Sequence, residues 1–186
     1  ICYDKTTMHE FNRFIDEGYL IPLIPLKTKA ELDVADLRIN SGEYSIKQMQ
    51  ERYNVDDITR QAIEESVLNA SDRKHWLIFA TGVEHCENVA RMMNDVYEIP
   101  CKAVHSKMNK TQREAVLAEF TCGQLRAVVN NNCLTTGFDY SGIDLIVVLR
   151  PTNSPGLWVQ MLGRGTRPVW PDATGENWGL WPEGYV

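Results

Sequence analysis

The sequence predicts an α/β fold: a mostly parallel sheet between two layers of helix, extended by an N-terminal helical elaboration. Two observations carry this prediction. From His75 onward, short and continuously apolar runs alternate with amphipathic stretches. The apolar runs also lack the in-out alternation of a half-exposed strand, so they suit strands buried on both faces, which run parallel and need helical crossovers.

Along the chain, Met8 to Tyr19 places Phe11, Phe14 and Ile15 at helical spacing and ends at Gly18, as a short amphipathic helix with a glycine stop would. Leu20 to Leu26 is apolar but broken by Pro22 and Pro25, which confines any strand there to an edge. Ser45 to Ala70 reads as one or two polar helices, with Asn54 or Asp56 as cap before Ile58, Ala62, Ile63 and Val67. Residues 1–74 thus form a partly helical segment without a catalytic pattern, packed on the domain that begins at residue 75.

Residues 75–168 form that main domain. Its strands are Trp76 to Ala80, Lys102 to Val104, Leu125 to Val129 and Ile143 to Leu149; its helices are Val83 to Tyr97, Lys110 to Phe120 and one starting near Pro155. Ligands of open parallel sheets collect at the carboxyl ends of strands. Thr81-Gly82, His105-Ser106 and the loop from Asn130 to Asp139 are expected together at that edge. Residues 169–186 are rich in Trp, Pro and Gly and read as a tail that packs on something or leads into a further strand.

Composition limits the function. At 186 residues and 44% hydrophobic, the chain can bury a core, and no apolar run approaches the length of a membrane span. It begins at Ile1 without a signal-peptide pattern, and it is expected to be a piece of a longer, cytoplasmic protein. Five cysteines, an odd number with no Cys-x-x-Cys pair, fit reduced thiols, and the scattered histidines predict no metal site. A net charge of −6 argues against gripping nucleic acid by bulk electrostatics. Lys102, Lys107, Lys110 and Arg113 form a local basic run, which also fits a solvated face.

The stretch Gln160-Met161-Leu162-Gly163-Arg164-Gly165-Thr166-Arg167-Pro168 sets two arginines three positions apart behind a glutamine and a glycine. Placed on one helical turn, both guanidinium groups face the same way. Two such forks are what phosphoryl transfer needs, because charge spreads over the oxygens of the transferring group. Upstream, Leu134-Thr135-Thr136-Gly137-Phe138-Asp139 sets a glycine and a carboxylate in a loop ahead of an apolar strand.

This ordered pair resembles motifs V and VI of superfamily 2 helicases, in the second RecA-like domain. Trp76 to Gly82 is similar to motif IV, and His105-Ser106-Lys107-Met108 with Arg113 is similar to the segment after it, with Ser106 where relatives carry glycine. Within the superfamily the motifs look most like those of RadD-like bacterial and phage DNA helicases, with type III restriction subunits close by. The segment Phe14 to Leu20 resembles the stretch those proteins carry between their motor domains.

The resemblance implies a three-layer RecA-like fold and a role for each motif residue. Arg164 and Arg167 would be arginine fingers, and Gly137, Asp139, Gln160 and Gly163 would meet the nucleotide, Asp139 through ribose hydroxyls. Thr81, Gly82, His105, Arg113, Asn131 and Thr135 would line the nucleic-acid track, Asn131 standing where relatives carry a phosphate-binding threonine. The implied partners are DNA and an N-terminal RecA-like domain of the same protein.

No Gly-x-x-x-x-Gly-Lys loop occurs, and the single Asp-Glu pair, Asp16-Glu17, does not end an apolar strand. ATP and Mg²⁺ would therefore be bound mainly by the other motor domain, and this chain alone would not hydrolyse ATP. A RecA-like binding module without motor function, or the translocase subunit of a restriction system, is the alternative.

Overall fold

The computed structural model describes residues 12–26, 37–40, 43–45, 48–49, 56–131, 133–134 and 138–168. The expectations for Asn54, Thr135, Gly137 and the tail from 169 onward lie outside the described residues.

Residues 12–16 are helical, and the chain turns at Gly18, whose φ of 76° is the left-handed conformation that glycine adopts without strain. Strands β1 (Ile39–Asn40) and β2 (Glu43–Tyr44) form a small antiparallel hairpin. Helix α1 (Asp56–Asn69) leads into the main unit: β3 (Trp76–Phe79), α2 (Val83–Asp95), β4 (Cys101–Val104), α3 (Lys110–Thr121), β5 (Ala127–Asn130), β6 (Leu145–Val148) and α4 (Pro155–Leu162).

The four-stranded sheet has the order β4-β5-β3-β6, and all three pairings are parallel. The register sets Leu77 beside Val128 on one side and Ile146 on the other, so the apolar run Trp76–Phe79 is central and buried throughout. Alternate residues point to opposite faces. Trp76, Ile78, Val129 and Val147 pack with Ile63 of α1 and Val89 and Met93 of α2. Leu77, Phe79 and Val128 pack on the other face with Val116 and Phe120 of α3 and Met161 of α4. The result is the three-layer α-β-α arrangement the sequence predicts.

The helix ends are built from local chemistry. Asn109 and Gln112 satisfy each other's backbone N–H in a capping box at the start of α3, at 2.9 and 3.0 Å. The same helix stops at Gly123, φ 80°, where Gln124 N–H donates to Glu119 O and Gly123 N–H to Phe120 O, closing off the last carbonyls. At the start of α4, Ser154 accepts from Leu157 N–H and Pro155 occupies the first turn, where its missing N–H costs nothing.

Candidate functional site

Because the strands are parallel, the residues after β3, β4 and β5 emerge at one edge: Thr81 and Gly82, His105, and Asn131. Asn130 staples that edge, its amide donating to Ile78 O at 3.1 Å while its oxygen accepts from Leu134 N–H at 3.4 Å. Asn131 N–H donates to Val104 O across the same gap. Gly82 is buried at the start of α2, and Arg113 is half-buried on the first turn of α3.

Thr81 is fully buried and its hydroxyl faces inward. That hydroxyl and the Thr81 N–H lie 2.9 and 3.3 Å from His85 Nδ1. The backbone donor makes Nδ1 the acceptor, so Nε2 carries the proton and lies 3.1 Å from Thr59 Oγ1 on α1. Burial pushes the imidazole down to about 4, which keeps it neutral across this hydrogen-bonded bridge. His105 is also buried, with Nε2 2.6 Å from Glu87 Oε1 on α2.

The second cluster lies elsewhere. The loop after Asn130 carries the chain from the carboxyl edge of β5 to the amino edge of β6, and residues 138–140 sit near its far end. Phe138 packs tilted and Tyr140 edge-on against Phe120, and the Tyr140 hydroxyl lies 3.2 Å from Nε2 of His75, the residue just before β3. Asp139 therefore does not share an edge with Thr81 and His105, contrary to the expectation for the whole loop. The reason is topological: β6 is parallel to β5, so the connection must return across the sheet.

Helix α4 makes the same return and ends at Leu162, before either arginine. Here too the sequence expectation needs correcting, because Arg164 and Arg167 do not share a helical turn. Two glycines bracket Arg164 and favour stopping the helix. The last turn tightens, with Arg164 N–H donating to Met161 O and Gly165 N–H to Leu162 O. Gly165 then passes so close to β6 that a Cβ there would come within 2.9 Å of Ile146 Cδ1.

The arginines still converge on the 138–139 segment. The Arg164 guanidinium donates to Phe138 O, and Arg167 forms an ion pair with Asp139. Burial lowers the Arg164 pKa, while Arg167 and Asp139 remain 41% and 68% exposed. Gln160 is exposed on α4, two turns after the Ser154 cap, and Gly163 caps its C-terminus. The arrangement offers one exposed cationic fork and carboxylate beside a second, half-buried fork, suited to a ligand with both anionic groups and hydroxyl donors. Among the described residues, no cluster of His, Cys, Asp and Glu is placed to hold a metal ion.

Sequence reasoning missed His85, Thr59 and Glu43. The only local signal for His85 was its position one helical turn after Thr81; Thr59 and Glu43 find their partners far along the chain.

Residues 57–168 match the family model described as the helicase conserved C-terminal domain. Protein IRC3 of Saccharomyces cerevisiae, provisionally named an ATP-dependent helicase, is 25% identical over 167 residues, covering 88% of this chain and 24% of its own length. The chain thus spans about a quarter of the length of the curated relatives it matches. Among solved structures, the Mycobacterium smegmatis helicase Lhr bound to single-stranded DNA and AMP-PNP aligns with a TM-score of 0.52 at 26% identity, covering 57% of this chain and 15% of that one. The ATP-dependent Type ISP restriction-modification enzyme LlaBIII bound to DNA aligns with a TM-score of 0.50 at 22% identity, over 72% of this chain and 11% of its own, a likeness of fold alone.

Proposed function

We propose, for a chain that belongs to the helicase conserved C-terminal domain family, that it is the second motor domain of an ATP-dependent superfamily 2 DNA helicase or translocase. The observation that carries this reading is the convergence of half-buried Arg164 and the more exposed Arg167 on Phe138 and Asp139.

The donor set fits a nucleoside triphosphate. Arginine forks meet phosphate oxygens bidentately, and a carboxylate accepts from ribose hydroxyls. A partner RecA-like domain would hold ATP and Mg²⁺, the metal neutralising charge on the phosphates. When the two domains close, Arg167 would leave Asp139 for a phosphate oxygen, freeing the carboxylate for the sugar. An exposed ion pair contributes only about 0–1 kcal/mol, so this exchange costs little. Arg164, steadied by Phe138 O, would supply the second fork. Gln160, Gly163 and Gly137 complete the nucleotide side of this reading.

Thr81, Gly82, His105, Arg113, Asn131 and Thr135 would form the track for one DNA strand. Four of them follow the carboxyl ends of β3, β4 and β5, away from the arginine cluster, so each closure can be converted into a change of grip at a separate place. Residues 1–74 would be the segment between the motor domains, residues 75–168 the motor domain itself, and residues 169–186 a tail. The protein would work in the cytoplasm and be bacterial or phage-encoded.

The test is nucleic-acid-stimulated ATP hydrolysis by the full-length protein, with DNA and RNA compared as activators. Arg164→Ala is expected to lower turnover about a thousandfold, as for other arginine fingers. A loss below about tenfold at unchanged folding stability would leave Arg164 a structural residue. Activation by RNA and not DNA would reject the substrate assignment while keeping the motor.

A further inference from the structure

The N-terminal segment reaches α4 at both ends, and it does so from outside the stretch matched by the family model. At the start of the helix, Glu43 of the β1–β2 hairpin accepts from the Thr152 hydroxyl at 2.5 Å and from Asn153 N–H at 2.8 Å. The chain of bonds continues inward. Ser154 N–H donates to Thr152 Oγ1 at 3.1 Å, and Ser154 Oγ in turn caps α4 by accepting from Leu157 N–H at 3.3 Å. Past the helix end, Ile21 N–H donates to Thr166 O at 2.8 Å, and Leu23 lies beside the Gly165 backbone.

Glu43 also faces Arg150, a buried residue 2% exposed at the exit of β6. Burial opposes ionisation of Glu43, but the Thr152 and Asn153 bonds, with Arg150 beyond them, hold its carboxyl below the usual range. A carboxylate that takes three hydrogen bonds, from Thr152, Asn153 and its neighbour Tyr44 N–H, is costly to remove, because the donors left behind lose their partner.

We propose that Glu43 is a positioning residue for the arginine cluster, and that Glu43 and Ile21 together clamp α4 from its two ends and fix where it delivers Arg164 and Arg167. This rests on the motor reading above. Helix α4 is rigid and short, so a shift where Glu43 holds it reappears at Gly163, immediately before Arg164. The opposite contact, at Ile21 and Thr166, prevents the loop from compensating. Misplacement by about 1 Å of a group that must meet a transition state costs about a hundredfold in rate.

The experiment uses the full-length protein carrying Glu43→Ala, Thr152→Val or both, with Arg164→Ala alongside. Two readouts are taken: amide hydrogen exchange at Leu157, Trp158, Arg164 and Gly165, and kcat and KM for ATP. The expected result is faster exchange at those amides with the β3 and β5 amides unchanged, and kcat lower by about ten- to a hundredfold at similar KM. The double variant should lose no more than the worse single one, since both changes cut the same bond. Unchanged exchange at α4 overturns the clamp, and faster exchange with unchanged kcat overturns the positioning role. If wild type hydrolyses ATP and only Arg164→Ala abolishes it, the clamp fails and the motor stands; a wild-type protein without ATPase activity removes the motor reading and the positioning role together.

Discussion

The two ends of the sheet solve the problem of placing polar groups in opposite ways. At the carboxyl edge, Thr81, His85 and His105 are buried and tied into short hydrogen bonds. On the 138–167 side, Arg167 and Asp139 meet in an exposed ion pair. A buried, neutral bridge such as that of Thr81 and His85 is expensive to move, whereas an exposed charge pair exchanges partners at little cost. The first region is built to hold a shape and the second to trade one partner for another.

Three results would break or sharpen this contrast, beginning with the largest. Arg164→Lys keeps the charge but loses the fork, so turnover of the full-length protein should fall by about a hundredfold, a smaller loss than the roughly thousandfold expected on removing an arginine finger outright. Steady-state ATPase measurements decide it, and a lysine variant with near-wild-type kcat would mean that charge alone suffices.

The second concerns His85. Its folded pKa of about 4 lies below the unfolded value of about 6.5. The unfolded chain therefore takes up a proton that the folded chain refuses. Stability is fully present above about pH 6.5 and declines as pH falls toward about 4, by on the order of 3 kcal/mol. Urea midpoints across that window should show the decline in wild type and a shallower one in His85→Gln. Equal slopes would show that the bridge from Thr59 through His85 to Thr81 does not stay neutral and locked.

The smallest effect is expected at Asp139→Asn, which should change unfolding free energy by less than about 1 kcal/mol because the pair with Arg167 is exposed. A loss of several kcal/mol would mean that this side too is a fixed structure, and the contrast would fail.

The sheet was legible in the sequence because its strands are continuously apolar; Trp76 to Phe79 is buried on both faces, and even the half-buried edge strand Leu145 to Val148 carries no polar residue. The motif residues were legible by spacing. Their surroundings were not. Whether Arg164 stays on the helix depends on how two glycines compete with helix packing, and Gly163 and Gly165 were the available warning. The partner that holds His85 Nε2 is Thr59, on a different helix, and the hold on Thr152 depends on Glu43 in a distant hairpin. Long-range polar partners leave no periodic trace, so periodicity could not find them.

The position of β3 has a consequence for how the chain acquires its shape. It is made first among the strands of the sheet and ends at its centre, but its two neighbours, β5 and β6, are made last. Until they arrive, the apolar run Trp76–Phe79 has both backbone edges unpaired, a state open to capture by other strands. Assembly is therefore a waiting problem, in which α2 must shield one face of an orphan strand until the distant halves of its sheet come off the ribosome.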